Sequence, residues 1–221
     1  MAIRLSASPR ALRAVLLLGH SCSGKSPLGE AVARSLSGRE RRFLHLDFGA
    51  LLRAVGDGKV RAGFTRQQTG LVRAFLRGRL LDRRTFWVAR RIVQWFLREH
   101  RARQGRDVLV LNGLPRHAGQ ARDMASLGID VALVIHLDCP AAVAWQRKLT
   151  AESGLGFEDR RGRPDRARHV FIRRARSFRR LTLPLVRYYR GRGVTVMRVP
   201  VGVGTSPAVV LRRARRALAV L

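Results

Sequence analysis

The sequence predicts a three-layer α/β/α protein in which one parallel sheet is covered by helices on both faces. Three observations carry that expectation. Apolar runs of strand length alternate along the chain with helical patterns, the arrangement that makes neighbouring strands parallel. A glycine-rich segment, Gly19–Ser26, stands at a strand-to-helix junction. A chain of 221 residues with 46% hydrophobic content can fill one core, so a single domain over residues 1–221 is expected.

The elements follow in order. Ala14–Leu18 is an unbroken apolar run of the kind buried on both faces of a sheet. A helix follows from Pro27 through Leu36, with the proline in its first turn, where a missing N–H costs nothing. Arg42–Leu46 reads as the second strand. Thr65, with Gln68 three residues on, makes a capping box that opens a helix ending near Gly78. Asp82 reads as the N-cap of a helix running to about Gly105, with Phe86, Ala89, Val93 and Phe96 as its apolar stripe. Val108–Leu111, Val131–Leu137 and Val194–Val199 complete a five-stranded sheet. Ser206 and Pro207 open the last helix, which carries Val209, Val210, Ala214 and Leu218. Leu149–Arg163 has three glycines, mixed charge and no period, and reads as a loop of the length used for lids.

Residues 19–26 read Gly-His-Ser-Cys-Ser-Gly-Lys-Ser and fit G-x-x-x-x-G-K-[ST]. In that pattern backbone N–H groups wrap the phosphates of a nucleoside triphosphate. Gly19 and Gly24 let the backbone approach, and Ser21, Cys22 and Ser23 belong to the wrapping loop. Lys25 would reach the β/γ-phosphates, and Ser26 would offer its hydroxyl to Mg²⁺.

Charge and composition narrow the remaining classes. Lys plus Arg number 45 against 14 acids, a net +31, which attracts polyanions. The arginines run from Arg4 to Arg216 without a tail or an aromatic-interleaved patch, so nucleic-acid binding is a secondary expectation. Cys22 and Cys139 stand alone and exclude a disulfide framework and a Cys-based zinc site. No apolar run is long enough to span a bilayer, and Met1–Arg13 lacks a signal-type apolar stretch. A cytoplasmic monomer with no membrane association is expected.

Further segments recur in a recognisable order. Gly49-Ala50-Leu51-Leu52-Arg53 follows the second strand, then come Asn112-Gly113-Leu114-Pro115-Arg116 with Gln120, then Arg147. Arg163-Pro164-Asp165-Arg166 precedes Arg174, and Thr182-Leu183-Pro184-Leu185 leads into Tyr188-Tyr189. With the phosphate loop, these segments make the chain from Ala14 onward similar to the adenylate kinase family of nucleoside monophosphate kinases. The resemblance implies a P-loop kinase fold with a helical monophosphate-binding insert around residues 48–78 and a short lid around 148–163. It implies that Gly49, Arg53, Gly113 and Arg116 hold the acceptor phosphate and that Gln120 reads its base. It further implies that Lys25, Arg116, Arg147, Arg163 and Arg174, helped by Asp165, surround the transferring phosphoryl group of ATP-Mg²⁺. Independently of the family, Arg174 shares a helix face with Val170, Phe171, Phe178, Leu181 and Leu185, while Arg173, Arg176, Arg179 and Arg180 read as solvated.

The chain also departs from that family. Asn112 stands where the family has an acid that steers Mg²⁺, while Asp47 replaces a small hydroxyl residue and could compensate. Phe48 and Ala50 alter the acceptor-base pocket, Ala151 replaces an arginine, and Arg166 replaces an acid. The expected activity is phosphoryl transfer from ATP to a nucleoside monophosphate, AMP first. Two rivals stay open: a kinase acting on a hydroxyl with Asp47 as base, and a catalytically impaired protein that binds nucleotide or nucleic acid.

Overall fold

Strand β1 (Leu12–Gly19) is buried along its length except at Arg13, and its side chains feed two separate cores. Leu12, Ala14, Leu16 and Leu18 point to one face of the sheet; Val15 and Leu17 point to the other. That two-sided burial explains why the run is continuously apolar rather than alternating. The computed structural model describes residues 11–76, 81–82, 84–161 and 167–221.

After β1 come α1 (Lys25–Leu36), β2 (Arg42–Asp47), α2 (Phe48–Gly56), α3 (Arg66–Leu76) and α4 (Phe86–Glu99). Then follow β3 (Asp107–Asn112), α5 (Ala118–Ala125), β4 (Ile129–Asp138), α6 (Ala141–Glu152) and α7 (Arg168–Ser177). A π-helical turn (Phe178–Thr182), α8 (Leu185–Arg190), β5 (Thr195–Pro200) and α9 (Pro207–Ala219) complete the described chain. The five strands form one parallel sheet in the order β2-β3-β1-β4-β5. Helices α2–α5 and α8 pack on one face, and α1, α6, α7 and α9 on the other. The protein is therefore a three-layer α/β/α sandwich. Among the described residues no helix is long and apolar enough to cross a membrane.

Local chemistry fixes the boundaries. The capping box forms as expected, with Gln68 N donating to Thr65 Oγ1 and Thr65 N donating to Gln68 Oε1, both at 3.2 Å. The expected end of that helix at Gly78 lies outside the described residues. Ser206 caps α9 by accepting from Val209 N at 3.3 Å.

Two expected boundaries move. Asp82 does not cap α4: Asp82 and Thr85 bond each other reciprocally, Asp82 N to Thr85 Oγ1 and Thr85 N to Asp82 Oδ1, each at 2.9 Å. That closed turn delays the helix to Phe86. At the other end Arg101 takes a left-handed φ of 44°, and Ala102 N reaches back to Leu97 O at 2.9 Å, so α4 stops six residues before Gly105. The expected loop at Leu149 begins instead at Ser153. Lys148 is buried, pairs with Glu152 one turn on at 2.6 Å and lies over Trp145, which holds that last turn helical.

Where β2 meets β3, the buried Asp107 receives Arg42 on both oxygens (3.0 and 2.6 Å) and Arg103 N at 2.7 Å. Burial alone would raise its pKa, but the bonds from Arg42 and Arg103 outweigh burial and hold it below the usual carboxylate range. Replacing Asp107 by Ala leaves Arg42 only the carbonyls of His100 and Arg101 and should cost about 2 kcal/mol, as part of the Arg42 side chain stays in water. Urea unfolding of the variant checks this.

Candidate functional site

Most of the described candidate groups gather at the carboxyl ends of the strands, where open parallel sheets leave room for ligands. The loop from Gly19 to Gly24 leaves β1 there and turns directly into α1. A side chain at Gly19 would meet Ser23 Oγ at 2.6 Å and Leu137 O at 3.0 Å, so the loop closes only over a glycine. Gly24, at φ 96°, is the left-handed N-cap of α1. That helix presents its first-turn N–H groups and the positive end of its dipole beside the loop. Lys25 folds its ammonium over the loop, donating to Gly19 O at 2.9 Å and His20 O at 2.5 Å. Burial, with the charge of Arg116 nearby, lowers its pKa to about 8.

A cavity of about 200 Å³ opens in front of the loop. Its basic wall is Lys25, Arg53 at the end of α2, Arg116 after β3, and Arg173 and Arg174 on α7. Arg174 acts electrostatically on Arg116, and Arg116 on Lys25, so these cations crowd one another. No carboxylate lines this cavity among the described residues. Gly49 and Gly113 form its floor, with Gly113 at φ 85° beside the cis bond between Leu114 and Pro115. The opposite end is apolar, formed by Phe48, Leu52, Phe75, Leu76 and Leu81.

Lys25, Arg53, Arg116 and Arg174 are thus brought together as expected, with Ser21, Gly49 and Gly113. Arg173 is exposed, as expected, and also lines the cavity, as do Ser177 at the end of α7 and Phe178 and Thr182 of the π turn. A π turn inserts an extra residue into the helical period, a shift that a regular 3.6-residue pattern cannot announce. Phe178 from that turn stacks on His20 at 4.3 Å between ring centres.

Two expected roles change. Gln120 is 2% exposed and its amide is engaged at both ends, accepting from Arg116 N at 2.7 Å and donating to Leu81 O at 2.8 Å. It thereby fixes the backbone that carries Arg116, while remaining among the residues that line the cavity. Arg147 does not join the other arginines. It lies behind the loop, donating from Nε to Cys22 O (3.1 Å) and from Nη1 to Gly202, Val203 and Thr205 oxygens (2.9–3.0 Å). Carbonyls of the loop and of the β5–α9 connection attract the guanidinium there and pin one to the other. Arg163 and Asp165 lie outside the described residues.

Arg147 also borders a second, largely apolar cavity of about 230 Å³ with Pro27, Leu155, Phe157 and Val203, where its guanidinium lies 5.3 Å from the Phe157 ring centre. Cys22, left-handed at φ 64°, and Gly24 separate it from the basic cavity. Cys139 is a buried thiol pushed up to about 11 by desolvation, and neither cysteine is disulfide-bonded.

Asp47, at the C-terminal end of β2, accepts from Ser26 Oγ at 2.6 Å through Oδ2 and caps α2 by accepting from Ala50 N at 2.8 Å through Oδ1. Burial pushes its carboxyl up, but the bonds from Ser26 and Ala50 and the charge of Arg53 outweigh burial and keep it below the usual range. Ser26 and Asp47 are the hydroxyl and carboxylate that a phosphate-bound Mg²⁺ accepts, so the residues present fit that ion. Compared with protein-family models and with curated proteins, the chain shows no significant match.

Three histidines around the site resist protonation. Burial, then the charge of Lys25, lowers His20 to about 4, and burial likewise lowers His45 and His136. A histidine with a depressed folded pKa binds its proton more readily in the unfolded chain. Stability is therefore full above about pH 7 and falls as pH drops from 6.5 towards 4. Urea midpoints measured between pH 7.5 and 5 should show this decline, and His20→Asn should flatten it.

Proposed function

We propose that the protein is a phosphotransferase that moves the γ-phosphoryl group of ATP-Mg²⁺ to a nucleoside monophosphate. One observation carries the reading: Lys25, Arg53, Arg116 and Arg174 meet in a single cavity at the mouth of a phosphate loop, and no carboxylate is among its described lining residues. Such a site demands an anion, and crowded guanidinium groups suit phosphate, which they bind in planar, bidentate pairs. Two phosphorylated ligands can approach one loop from its two sides. The donor phosphates would sit on the loop and the α1 N-terminus, with the donor base in the apolar cavity beside Arg147. The acceptor phosphate would enter the basic cavity against Arg53 and Arg116.

Phosphoryl transfer asks a protein for alignment and charge neutralisation more than for covalent chemistry. Lys25 would hold the β/γ-phosphate oxygens, and Arg116 and Arg174 would meet charge as it spreads over the transferring group. Ser26 would offer its hydroxyl to the nucleotide's Mg²⁺, which would supply charge neutralisation on the donor phosphates. Arg147 acts at one remove, by holding the loop in shape. The hydroxyl-kinase alternative gains no support, because Asp47 lies outside the lining of the basic cavity and its carboxylate is held ionised by donors. A carboxylate kept acidic in this way is a weak base.

A coupled assay with ATP and each common nucleoside monophosphate tests the proposal. Turnover with at least one is expected, and its absence in protein that binds ATP would overturn the reading. Arg116→Ala and Arg174→Ala should each lower kcat by about 10²–10³-fold, with a smaller change in ATP affinity by calorimetry. Since Gln120 is engaged internally and the far wall is apolar, bases should be sorted by shape alone. The kcat/KM values for the four monophosphates should then differ by less than about 200-fold, the range of apolar pockets rather than of edge-reading ones. Donor phosphates beside Lys25 should raise its pKa from about 8, so ATP binding at pH 8.5 should take up protons. Calorimetry in buffers of different ionisation enthalpy measures that uptake, which should fade towards pH 7.

A further inference from the structure

Strands β2 and β3 pair in register so that Asp47 and Asn112 are partners at the last position of each. Parallel pairing puts both side chains at the same level of the sheet, next to the first turn of α1. There Asn112 Nδ2 donates to Asp47 Oδ2 and to Ser26 Oγ, each at 2.9 Å, while Ser26 Oγ donates to Asp47 Oδ2 at 2.6 Å. The three groups close a triangle around one carboxylate oxygen. Its other oxygen is held by Ala50 N, so the carboxylate cannot swing away.

We propose that Asp47, together with Ser26, holds the divalent cation of the bound nucleotide, and that Asn112 is a positioning residue that aims Asp47. The inference rests on the phosphate-loop reading above and goes beyond it by assigning the acid. A hard cation of this size takes a hydroxyl, one carboxylate, phosphate oxygens and water, and needs no dedicated cage. Asn112 supplies no charge, and of the pair only Asp47 does. Asp47 is also the better placed, since it faces a recess of about 350 Å³ together with Ser26. Glu30, Glu158 and Asp159 border the same recess, although the chain has only 14 acids against 45 basic residues. The basic cavity in front of the loop has no carboxylate among its described lining residues, and Arg53 borders both spaces.

The register makes the proposal testable by exchange. Mn²⁺ bound with ADP or ATP to the full chain is measured by electron paramagnetic resonance, and nucleotide affinity by calorimetry with and without the metal. Asp47→Asn should weaken Mn²⁺ in the ternary complex by about 10–100-fold. Metal-free nucleotide affinity should stay equal or tighten, because a negative charge near the phosphates is removed. Asn caps helices as well as Asp does, so α2 should persist, and circular dichroism melts check this. The double variant Asp47→Asn with Asn112→Asp returns the charge one strand away and should recover most of the Mn²⁺ affinity. Wild-type-like Mn²⁺ binding in Asp47→Asn, or equal losses with and without metal, would overturn the assignment while leaving the nucleotide reading intact. A wild-type chain that binds no nucleotide at all would overturn both.

Discussion

Like charge concentrated at one end of a parallel sheet is the constraint on which the site depends. Lys25, Arg53, Arg116 and Arg174 come from three helices and the loop after β3 and share one cavity with no carboxylate among its described lining residues. Bringing them together is unfavourable on its own, and Arg116 adds to the burial that chiefly lowers the pKa of Lys25. The packed layers tolerate the strain because each cation is mounted on an element that the apolar core fixes. Leu52 and Val55 anchor α2 and Phe171 anchors α7, all three buried within the two cores. An arrangement held together by the core and opposed by its own charge gains most from an anion.

The loop between these cations is held from behind. Arg147 joins Cys22 O to three carbonyls in the β5–α9 connection, and Phe178 braces His20 from the front. An arginine that a linear reading aims at a ligand serves here as a strut. Gln120 is a parallel case, its amide bridging the backbones of Arg116 and Leu81. In both, buried carbonyls and N–H groups need partners, and the nearest long polar side chain supplies them.

Asp47 illustrates how strand register brings groups from two strands to one hydroxyl. Adjacent parallel strands in register offer nearly equivalent places at their ends, so an acid on β2 can reach the Ser26 hydroxyl. The amide on β3 then becomes a donor to that acid instead of a carrier of charge.

Local and nearly local patterns were legible in the chain. The five strands, the capping box at Thr65, the Ser206 cap and the phosphate loop all come from residues that act within a few positions of one another. The grouping of Lys25 with Arg53, Arg116 and Arg174 could be drawn from motif order. What the sequence left open are choices among competing partners. Asp82 could cap a helix or close a turn with Thr85, and the turn prevailed. Arg147 and Gln120 could face a ligand or buried backbone groups, and the backbone prevailed, because leaving buried carbonyls unbonded costs more than redirecting a side chain. The π turn that brings Phe178 and Thr182 to the cavity breaks the period by which helices are read. A sequence thus determines which groups are present and their local spacing; only the packed structure decides which of several satisfied arrangements each polar side chain takes, since that depends on neighbours far apart in the chain.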